Sequence, residues 1–461
     1  MTNVSFINFN HQKTMNNSKN LNLISKNLSL FFNELALLES KSSGFIKRNR
    51  KISGSDFLKT ICFSNISNSY CSLENMCQLL AEDSIELSKQ GLDKKFCKNS
   101  VKFMNSMFNH SINLFQNSLP IDVKLLQEFN SIKLLDSSHI KLPNFMKDIY
   151  KGYGSGFKDY KKNDSSIKLQ LSFDYLNSSL TQLDIKEGVR SDQGYKDYLD
   201  NIKVGDLSIT DLGYFVPKSF KKISDLGAYF ISRYKADTNL CSSKDFNSTI
   251  DLAKCLSNND KILRNTLYLG SKTRLPIRII YQKIPQNIYD QRLRKANKAA
   301  KSQGHKVSDN KKKLMQYNIF ITNINKDKLS DEQIILLYKS RWQIELLFKL
   351  YKSQIVITYL KGKTKTYRIL CELYAKLTII AIFHGLVNCI KLKQNTEISF
   401  TKAVQELKRR SRELAIVISL KITKIKVTIS KLLKAWSLYA IKDKHRKKRL
   451  SNLNILKENF A

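Results

Sequence analysis

The chain has 461 residues, of which 42% are hydrophobic, so it is long enough for about two to four globular domains. It carries 79 Lys and Arg against 39 Asp and Glu, and this net charge of +40 predicts a polyanionic partner, most simply nucleic acid. The chain is also rich in Lys, Asn and Ile, as AT-rich coding produces, so base composition is an alternative source of part of the charge.

Residues 1–125 are predicted to be helical. Apolar residues recur at helical spacing in LNLISKNLSLFFNELALLES and in SLENMCQLLAEDSIELSKQGL, where Gly91 can end the helix. Between them, the basic and glycine-punctuated KSSGFIKRNRKISGSDFLKT suits a loop or short helix that touches phosphate. The region therefore predicts a small helical DNA-binding domain or, alternatively, a helical cap with solvated charges.

In residues 126–236 the sequence pattern becomes that of β-strands. The segments SIKLLDSSHIKL, KLQLSFDYL, LTQLDIKEG, GDLSITD and GAYFISRYK are short and rich in apolar or β-branched residues. Helices are predicted before and after the fourth segment, in SDQGYKDYLDNI and LGYFVPKSFKKIS. This order predicts an α/β sheet of mixed direction. GYGSGF is not a nucleotide fingerprint, because no helix entry follows it.

Residues 237–335 are predicted to form a β-rich basic insertion. RLPIRIIYQKI and LMQYNIFITNI look like strands around QRLRKANKAAKSQGHKVSDNKKK, which we predict to be a basic loop. Residues 336–400 and 401–461 are predicted to be helical, and the second of these regions contains the run KDKHRKKR.

Several features predict a cytoplasmic protein. The eight cysteines contain no CxxC pair, which favours reduced thiols in the core, and the first residues are too polar for a signal peptide. The most apolar run, from Leu377 to Ile390, is too short to span a bilayer. It carries His384 and Asn388, so we predict a buried helix in which His384 has a local partner.

The stretch YKSRWQIELLFKLYK combines polar and apolar residues. On one continuous helix, Tyr338, Arg341, Glu345 and Lys352 would share an arc of roughly 60°, while the other faces are apolar. A helix of this kind is usually buried, and its polar stripe then needs a partner. The partner is either internal, with Arg341 paired to Glu345 at i,i+4, or a bound ligand.

Three carboxylates stand in positions that suit metal binding. We predict Asp136 and Asp211 at the ends of strands and Glu345 on the buried helix. Three carboxylates can bind two Mg²⁺ ions, and two such ions stabilise the attacking and leaving oxygens in phosphodiester chemistry.

The contexts DSSHIKLP, DLGYF with GAYFISRYK after it, and Y-x2-R-x3-E-x6-K resemble the DDE transposases of bacterial insertion sequences, in the subgroup with a YREK signature. The resemblance covers about residues 130–360. It implies an RNase H-like mixed sheet flanked by helices, in an α/β (mixed α+β) multidomain chain, with the β-rich insertion between the second Asp and the Glu. It also implies that Asp136, Asp211 and Glu345 are the catalytic and metal-binding triad.

The resemblance further implies a set of DNA-contacting residues: Tyr338, Arg341, Lys352, Arg233 and Trp342. The implied cofactor is Mg²⁺, two ions, for which Mn²⁺ can substitute. The implied partners are the terminal inverted repeats of the chain's own element and target DNA, bound by a homodimer on paired ends. No membrane partner is expected, and the implied location is cytoplasmic and nucleoid-associated.

The predicted function is cleavage of the element's ends by metal-dependent hydrolysis, followed by joining of the 3′-hydroxyl ends to target DNA. The alternative is a catalytically silent, sequence-specific DNA-binding protein derived from a transposase. A general RNase H-like nuclease is a third reading, but it does not explain the basic insertion.

One feature departs from the family pattern. Characterised relatives carry a tryptophan in the insertion that stacks on a base flipped from the cut end, whereas the tryptophans here are Trp342 and Trp436. Either an aromatic residue takes its place, namely Tyr281, Tyr289, Tyr317 or Phe320, or the chain processes its ends by a different step without a hairpin intermediate.

Overall fold

The structure is a computed structural model that describes residues 16–48, 51–67, 72–115, 128–152, 165–236, 238–245, 248–258, 260–360, 365–390 and 396–442. The run KDKHRKKR after Lys442, most of GYGSGF, and Asn49 and Arg50 of the N-terminal basic cluster lie outside these ranges. The chain divides into two units. The first takes in the described residues of 1–123, 137–190 and 343–454, and the second takes in those of 124–136 and 191–342.

The described residues contain strands at the following positions: β1 (Ile132–Lys141), β2 (Ser166–Asp174), β3 (Ser179–Glu187), β4 (Leu207–Thr210), β5 (Tyr229–Arg233), β6 (Leu240–Cys241), β7 (Leu267–Leu269), β8 (Leu275–Lys283) and β9 (Tyr317–Thr322). They form one sheet in the order β3-β2-β1-β4-β5-β9-β8-β7-β6. β1, β4 and β5 pair in parallel, while β2 with β3, β5 with β9 and β8 with β9 pair antiparallel. This mixed sheet confirms the predicted RNase H-like fold class.

The α-helices up to residue 225 are α1 (Asn16–Ser29), α2 (Ala36–Ser42), α3 (Gly54–Ser67), α4 (Leu73–Glu82), α5 (Lys89–Asp93), α6 (Lys98–Phe115) and α7 (Pro217–Asp225). Those after it are α8 (Leu252–Ser257), α9 (Gln286–Ser302), α10 (Asp309–Leu314), α11 (Asp331–Lys339), α12 (Trp342–Leu350), α13 (Thr366–Val387), α14 (Phe400–Arg409), α15 (Ser411–Ile418) and α16 (Ile422–Tyr439). π-Helical turns occur at Leu30–Leu35 and Tyr351–Ile355.

The first unit is built around the long helix α13, which contains the predicted apolar run. α13 is long and apolar enough to cross a membrane, but its most apolar stretch is fully buried inside the protein, as in the core helix of a globular protein. The N-terminal helices share this core: Cys62 Sγ contacts the Ala375 carbonyl, and Ser100 Oγ lies 3.4 Å from Cys371 Sγ. DNA binding by residues 1–125 stays a prediction, as do the domain boundaries.

His384 on α13 has the local partners that the sequence predicted. Its Nε2 lies 2.7 Å from Tyr351 Oη, and its Nδ1 lies 3.1 Å from the Ser178 carbonyl. Phe173 and Phe400 pack against the ring edge-on. Complete burial lowers the pKa of His384 to about 3, so the imidazole is neutral in the folded chain.

Two local predictions were wrong. α4 ends at Glu82 rather than near Gly91, because Ser84 adopts a left-handed φ of 58° and the Ile85 N–H closes on the Leu80 carbonyl at 3.0 Å. Gly91 instead lies inside the short helix α5.

The basic loop predicted inside the insertion is also wrong, because that segment forms α9 and α10. Its Ala, Lys, Arg and Gln residues are good helix formers, and Ser308 caps α10 by accepting from the Lys311 N–H. The flanking strands β8 and β9 lie where the sequence placed them.

We predict that His384 makes the stability of the chain fall in acid. The unfolded chain takes up a proton at a pKa of about 6.5, whereas the folded chain does so only near 3. The stabilisation is therefore complete above pH 6.5 and is lost as the pH falls toward 3, by roughly 2 kcal/mol between pH 7 and pH 5. Urea unfolding of wild type and His384→Gln at both pH values measures this. An equal fall in stability for the two proteins would contradict the assignment.

Candidate active site

Two carboxylates lie side by side at the edge of the parallel strands in the second unit. β1 and β4 pair in register from Ile132 with Leu207 to Leu135 with Thr210, so the next residues along are Asp136 and Asp211. Adjacent strands are about 4.8 Å apart, and residues at one register position project from the same face. The pairing therefore brings the two predicted aspartates together.

The strand positions need one correction. Asp211 directly follows β4, as predicted, and begins the 3₁₀ turn Leu212–Tyr214. Asp136 was predicted to end its strand, but β1 continues to Lys141. Asp136 instead lies where β1 loses β4 as its partner, because β4 ends in that turn.

Arg233 extends this row of side chains by one strand. β4 and β5 are parallel, and their pairing runs to Thr210 with Ser232, so Arg233 occupies the same level as Asp211. Across the next, antiparallel pair, Arg233 stands opposite Phe320. The strands thus place two carboxylates, a guanidinium and an aromatic ring in consecutive positions across the sheet.

Arg341 reaches this row from the chain that follows α11. Its Nη1 lies 3.6 Å from Asp136 Oδ2, and both side chains are mostly buried, with exposures of 15% and 17%. Within this unit, Arg341 therefore pairs with a strand aspartate.

The helix predicted to carry the polar stripe is interrupted at Ser340, which caps α11 and donates from Oγ to the Leu337 carbonyl at 2.6 Å. Serine bonds of this type bend helices. A new helix, α12, starts at Trp342, and Lys352 lies in the π-helical turn after it. The single-helix arc that we calculated for the four signature residues is therefore wrong.

Tyr338 places its hydroxyl among these charges. Its ring packs on Phe320 with centroids 4.8 Å apart, and its buried Oη has the Arg341 side chain as a polar neighbour but makes no well-directed hydrogen bond to any described residue. Burial raises the pKa of Tyr338 to about 12, opposed by the nearby positive charge of Arg341. The charges of Asp211 and Arg233 also act on this phenol. A buried hydroxyl that is poorly paired carries a cost in free energy.

The remaining signature residues lie on α12 and the turn after it. Glu345 is half-buried in the first turn of α12. Lys352 is half-buried in the π-helical turn, where burial lowers its pKa. Both belong to the first unit. Trp342, at the start of α12, is 44% exposed.

The aromatic residues considered for base stacking differ in accessibility. Phe320 is buried and packs on Tyr338, and Trp436 is fully buried, so neither presents a face to a ligand. Tyr281 and Tyr317 contact each other edge-on and are partly buried. Tyr289 on α9 is also partly buried.

Sequence analysis missed Arg278, which fixes α11 to the sheet. From β8, its Nη1 donates to the Leu329 carbonyl at 2.8 Å, and its Nη2 pairs with Asp331 at the start of α11. The only signal in the sequence is an arginine within the apolar strand LPIRIIYQK. Arg278 therefore helps to position the helix that carries Tyr338.

Asp136 and Asp211 suit part of a site for Mg²⁺, since carboxylate oxygens are its preferred protein ligands. Among the described residues, no three His, Cys, Asp or Glu side chains are grouped closely enough to hold a metal by themselves.

The family described as Transposase DDE domain matches residues 127–369. The chain belongs to this family and is therefore a transposase, an enzyme that acts on DNA. The transposase for insertion sequence element IS1151 of Clostridium perfringens is 30% identical over 95% of this chain and 97% of its own length. The transposase for insertion sequence element IS231F of Bacillus thuringiensis subsp. israelensis is 31% identical over 79% of this chain and 78% of its own length.

Among solved structures, a piggyBac transposase synaptic complex with hairpin DNA covers 92% of this chain and 86% of its own, at 9% identity and a TM-score of 0.44. A likeness at that level adds nothing to the assignment.

We predict that Tyr338→Phe separates stability from DNA processing. The change removes a buried hydroxyl that is poorly paired, so the free energy of unfolding should stay the same or rise by about 1 kcal/mol. If the hydroxyl pairs with a DNA phosphate, cleavage of a DNA end should fall roughly tenfold. Urea unfolding and single-turnover cleavage on one preparation test both. Cleavage at the wild-type rate would exclude the phenol from the site.

Proposed function

We propose that the chain cleaves the ends of its own insertion sequence and joins the freed 3′-hydroxyls to target DNA. The observation that carries the proposal is the register-matched row of Asp136, Asp211 and Arg233, with Arg341 and Tyr338 beside it. This row combines ligands for a cation with donors for a phosphate on one face of the sheet.

In this proposal Asp136, Asp211 and Glu345 hold the metal. The donor set is made of carboxylates, which favours Mg²⁺, with Mn²⁺ as a substitute, over softer metals. When bound, a pair of such ions stabilises the attacking and leaving oxygens of a phosphodiester. The two-ion site and the participation of Glu345 rest on the family resemblance and on the strand positions of the two aspartates.

The cationic residues hold the DNA. Arg341 has five N–H donors in a planar fork and can bind a phosphate while still facing Asp136. The Arg233 side chain has no hydrogen-bond or ion-pair partner among the described residues, so its guanidinium is available to a second phosphate. The Tyr338 hydroxyl donates to a phosphate oxygen and thereby loses the cost of its burial. Lys352 and the exposed Trp342 complete the proposed contacts near the cut end.

Each residue group then has a separate task. The carboxylates would hold the metal beside the scissile phosphate, and the basic residues and the phenol fix the strand on either side of it. Water attacks the scissile phosphodiester at each terminal inverted repeat, and the bond from phosphorus to the 3′-oxygen breaks to free a 3′-hydroxyl. That hydroxyl attacks a phosphodiester of the target and displaces a 3′-oxygen of the target strand. We propose that a homodimer performs this on paired ends, in the cytoplasm at the nucleoid.

We predict that Asp136→Asn, Asp211→Asn and Glu345→Gln each abolish strand cleavage but leave binding of a terminal repeat within a fewfold of wild type. Each change removes a charge that the metal needs and preserves the shape of the side chain. Cleavage of a labelled linear end in Mg²⁺ and in Mn²⁺, with a gel shift in EDTA, measures the two properties. A variant that cuts normally would remove its residue from the triad. A wild-type protein that binds the repeat and never cuts would instead support the silent DNA-binding alternative.

We predict that Lys352→Met lowers joining to target DNA without loss of stability. Burial disfavours the charged form of Lys352, and no described carboxylate pairs with it, so removal of the charge relieves a cost in the free protein. The melting temperature should stay level or rise, while strand transfer falls roughly tenfold, as expected when a charged contact is lost.

Lys272→Met is the matched control for Lys352→Met, because Lys272 is exposed in the turn between β7 and β8 and should leave strand transfer unchanged. A large fall in the melting temperature of Lys352→Met with normal transfer would mean that Lys352 supports the fold instead.

A further inference from the structure

A strongly basic surface lies on α9 and α10. Residues 286–314 contain nine Lys and Arg but only two Asp. The exposed cations include Arg294, Lys295, Lys298, Lys301, Lys311 and Lys313, and we call these six the α9–α10 surface. Surfaces that serve solubility intersperse both signs of charge, so an excess of this kind indicates a polyanionic ligand.

These cations are not neutralised by the protein. Among the described residues, no carboxylate lies within ion-pair distance of the six, whereas the neighbouring Lys312 pairs with Asp309 at 2.8 Å. The charge of the surface is therefore available to a ligand.

The outward face of α9 has the geometry of a stripe. At 100° per residue, Arg294, Lys298 and Lys301 share an arc of roughly 60°, and the rise of the helix spreads them over about 10 Å. A DNA strand carries one phosphate per roughly 3.4 Å of helix axis, so a stripe of this length can face two or three phosphates.

Arg292 fixes this stripe in place. It lies about 160° from Arg294 around the helix and faces the protein. Its Nη1 donates to the Tyr317 carbonyl at 3.2 Å and to the Met315 carbonyl at 3.4 Å, and its Nη2 donates to Asn318 Oδ1 at 2.6 Å. The outward cations thus stand on a helix that is anchored to the start of β9.

The positive charge continues from this anchor to the candidate active site. Burial lowers the pKa of Arg292, and the neighbouring charge of Arg233 lowers it further. Arg233 in turn stands at the level of Asp211 across β4 and β5. The residue that anchors α9 is therefore a close neighbour of the cation that stands level with Asp211.

We propose that the α9–α10 surface binds the sugar–phosphate backbone of the duplex DNA whose strand is processed at Asp136 and Asp211. The proposal rests on the proposed function for the identity of that duplex. The surface adds affinity through counterion release and carries no sequence preference of its own, because lysines on a helix face contact phosphates rather than base edges.

The test compares two triple variants in metal-free buffer with EDTA, where no strand is cut. The first is Arg294→Gln with Lys298→Gln and Lys301→Gln. The control removes three other exposed positive charges, each paired with a carboxylate at 2.9–3.7 Å and lying outside residues 1–125: Arg190→Gln, Lys221→Gln and Lys222→Gln. Fluorescence anisotropy against salt is measured on a duplex with the terminal inverted repeat and on a duplex of unrelated sequence.

We expect the first variant to reduce the slope of log affinity against log salt by about 2 to 3 on both duplexes, since each lost phosphate contact accounts for about 0.9. The control should keep the wild-type slope, and thermal unfolding should be the same for all three proteins. An unchanged slope in the first variant, or an equal loss in the control, would overturn the proposal.

The outcome is separable from the proposed function. If the wild-type protein never cuts DNA but the first variant shows a reduced salt slope, the proposed catalytic function is wrong and the DNA-binding role of the α9–α10 surface is supported. If the wild-type protein cuts DNA and the first variant has the wild-type salt slope, only the DNA-binding role of the α9–α10 surface is wrong.

A photo-crosslinking amino acid at Asn297, which is exposed beside the stripe, adds a positional test in the full-length protein. It should crosslink to the duplex next to the cut site, whereas the same label at Val204, which is 69% exposed before β4 at the end of the strands away from Asp211, is the control. Equal crosslinking yields at the two positions would contradict a specific path of DNA over α9.

Discussion

The alignment of β1 with β4 is the constraint on which the candidate active site depends. A shift of one residue in this pairing would move Asp136 to the opposite face of the sheet from Asp211. The alignment is secured at the other end of the strands by a buried ion pair between Lys133 and Asp206, whose carboxylate also accepts from the Lys203 N–H at 2.8 Å. Loss of one partner would leave the other charge buried and uncompensated, at a cost of about 3–5 kcal/mol. The structural ion pair and the proposed site residues thus occupy the two ends of the same strand pair.

The charges at the functional end are balanced differently. Arg341 partly neutralises Asp136, while Arg233 lies level with Asp211 on the adjacent strand, and the hydroxyl of Tyr338 stays buried among them. An arrangement of this kind tolerates both a cation and a phosphate, since either one finds opposite charge already in position.

Sequence reasoning identified the elements whose signals are local. Alternating and β-branched residues marked β1 to β5, and the apolar run around His384 marked α13. It failed where the deciding interaction is a single hydrogen bond or a distant contact. The Oγ of Ser340 interrupts the signature helix, and the left-handed Ser84 ends α4, yet neither serine is distinguishable from any other in the sequence. The level position of Asp136, Asp211 and Arg233 depends on pairing between segments up to about a hundred residues apart, which periodicity cannot show. The sequence did not reveal α9 as a helix, because its many charged residues leave only a short apolar face and so a weak helical period.

The anchoring of α9 by Arg292 has a consequence for how the chain can diverge. A lysine has one ammonium group and could not reproduce the fork that joins two carbonyls and an amide, so position 292 tolerates little change. The outward cations contribute only diffuse charge, which Lys and Arg supply equally well. Mutational pressure toward AT-rich codons can therefore exchange Arg for Lys at the outward positions while Arg292 still anchors the helix. Related elements should differ freely in the identity of these cations but rarely in their number.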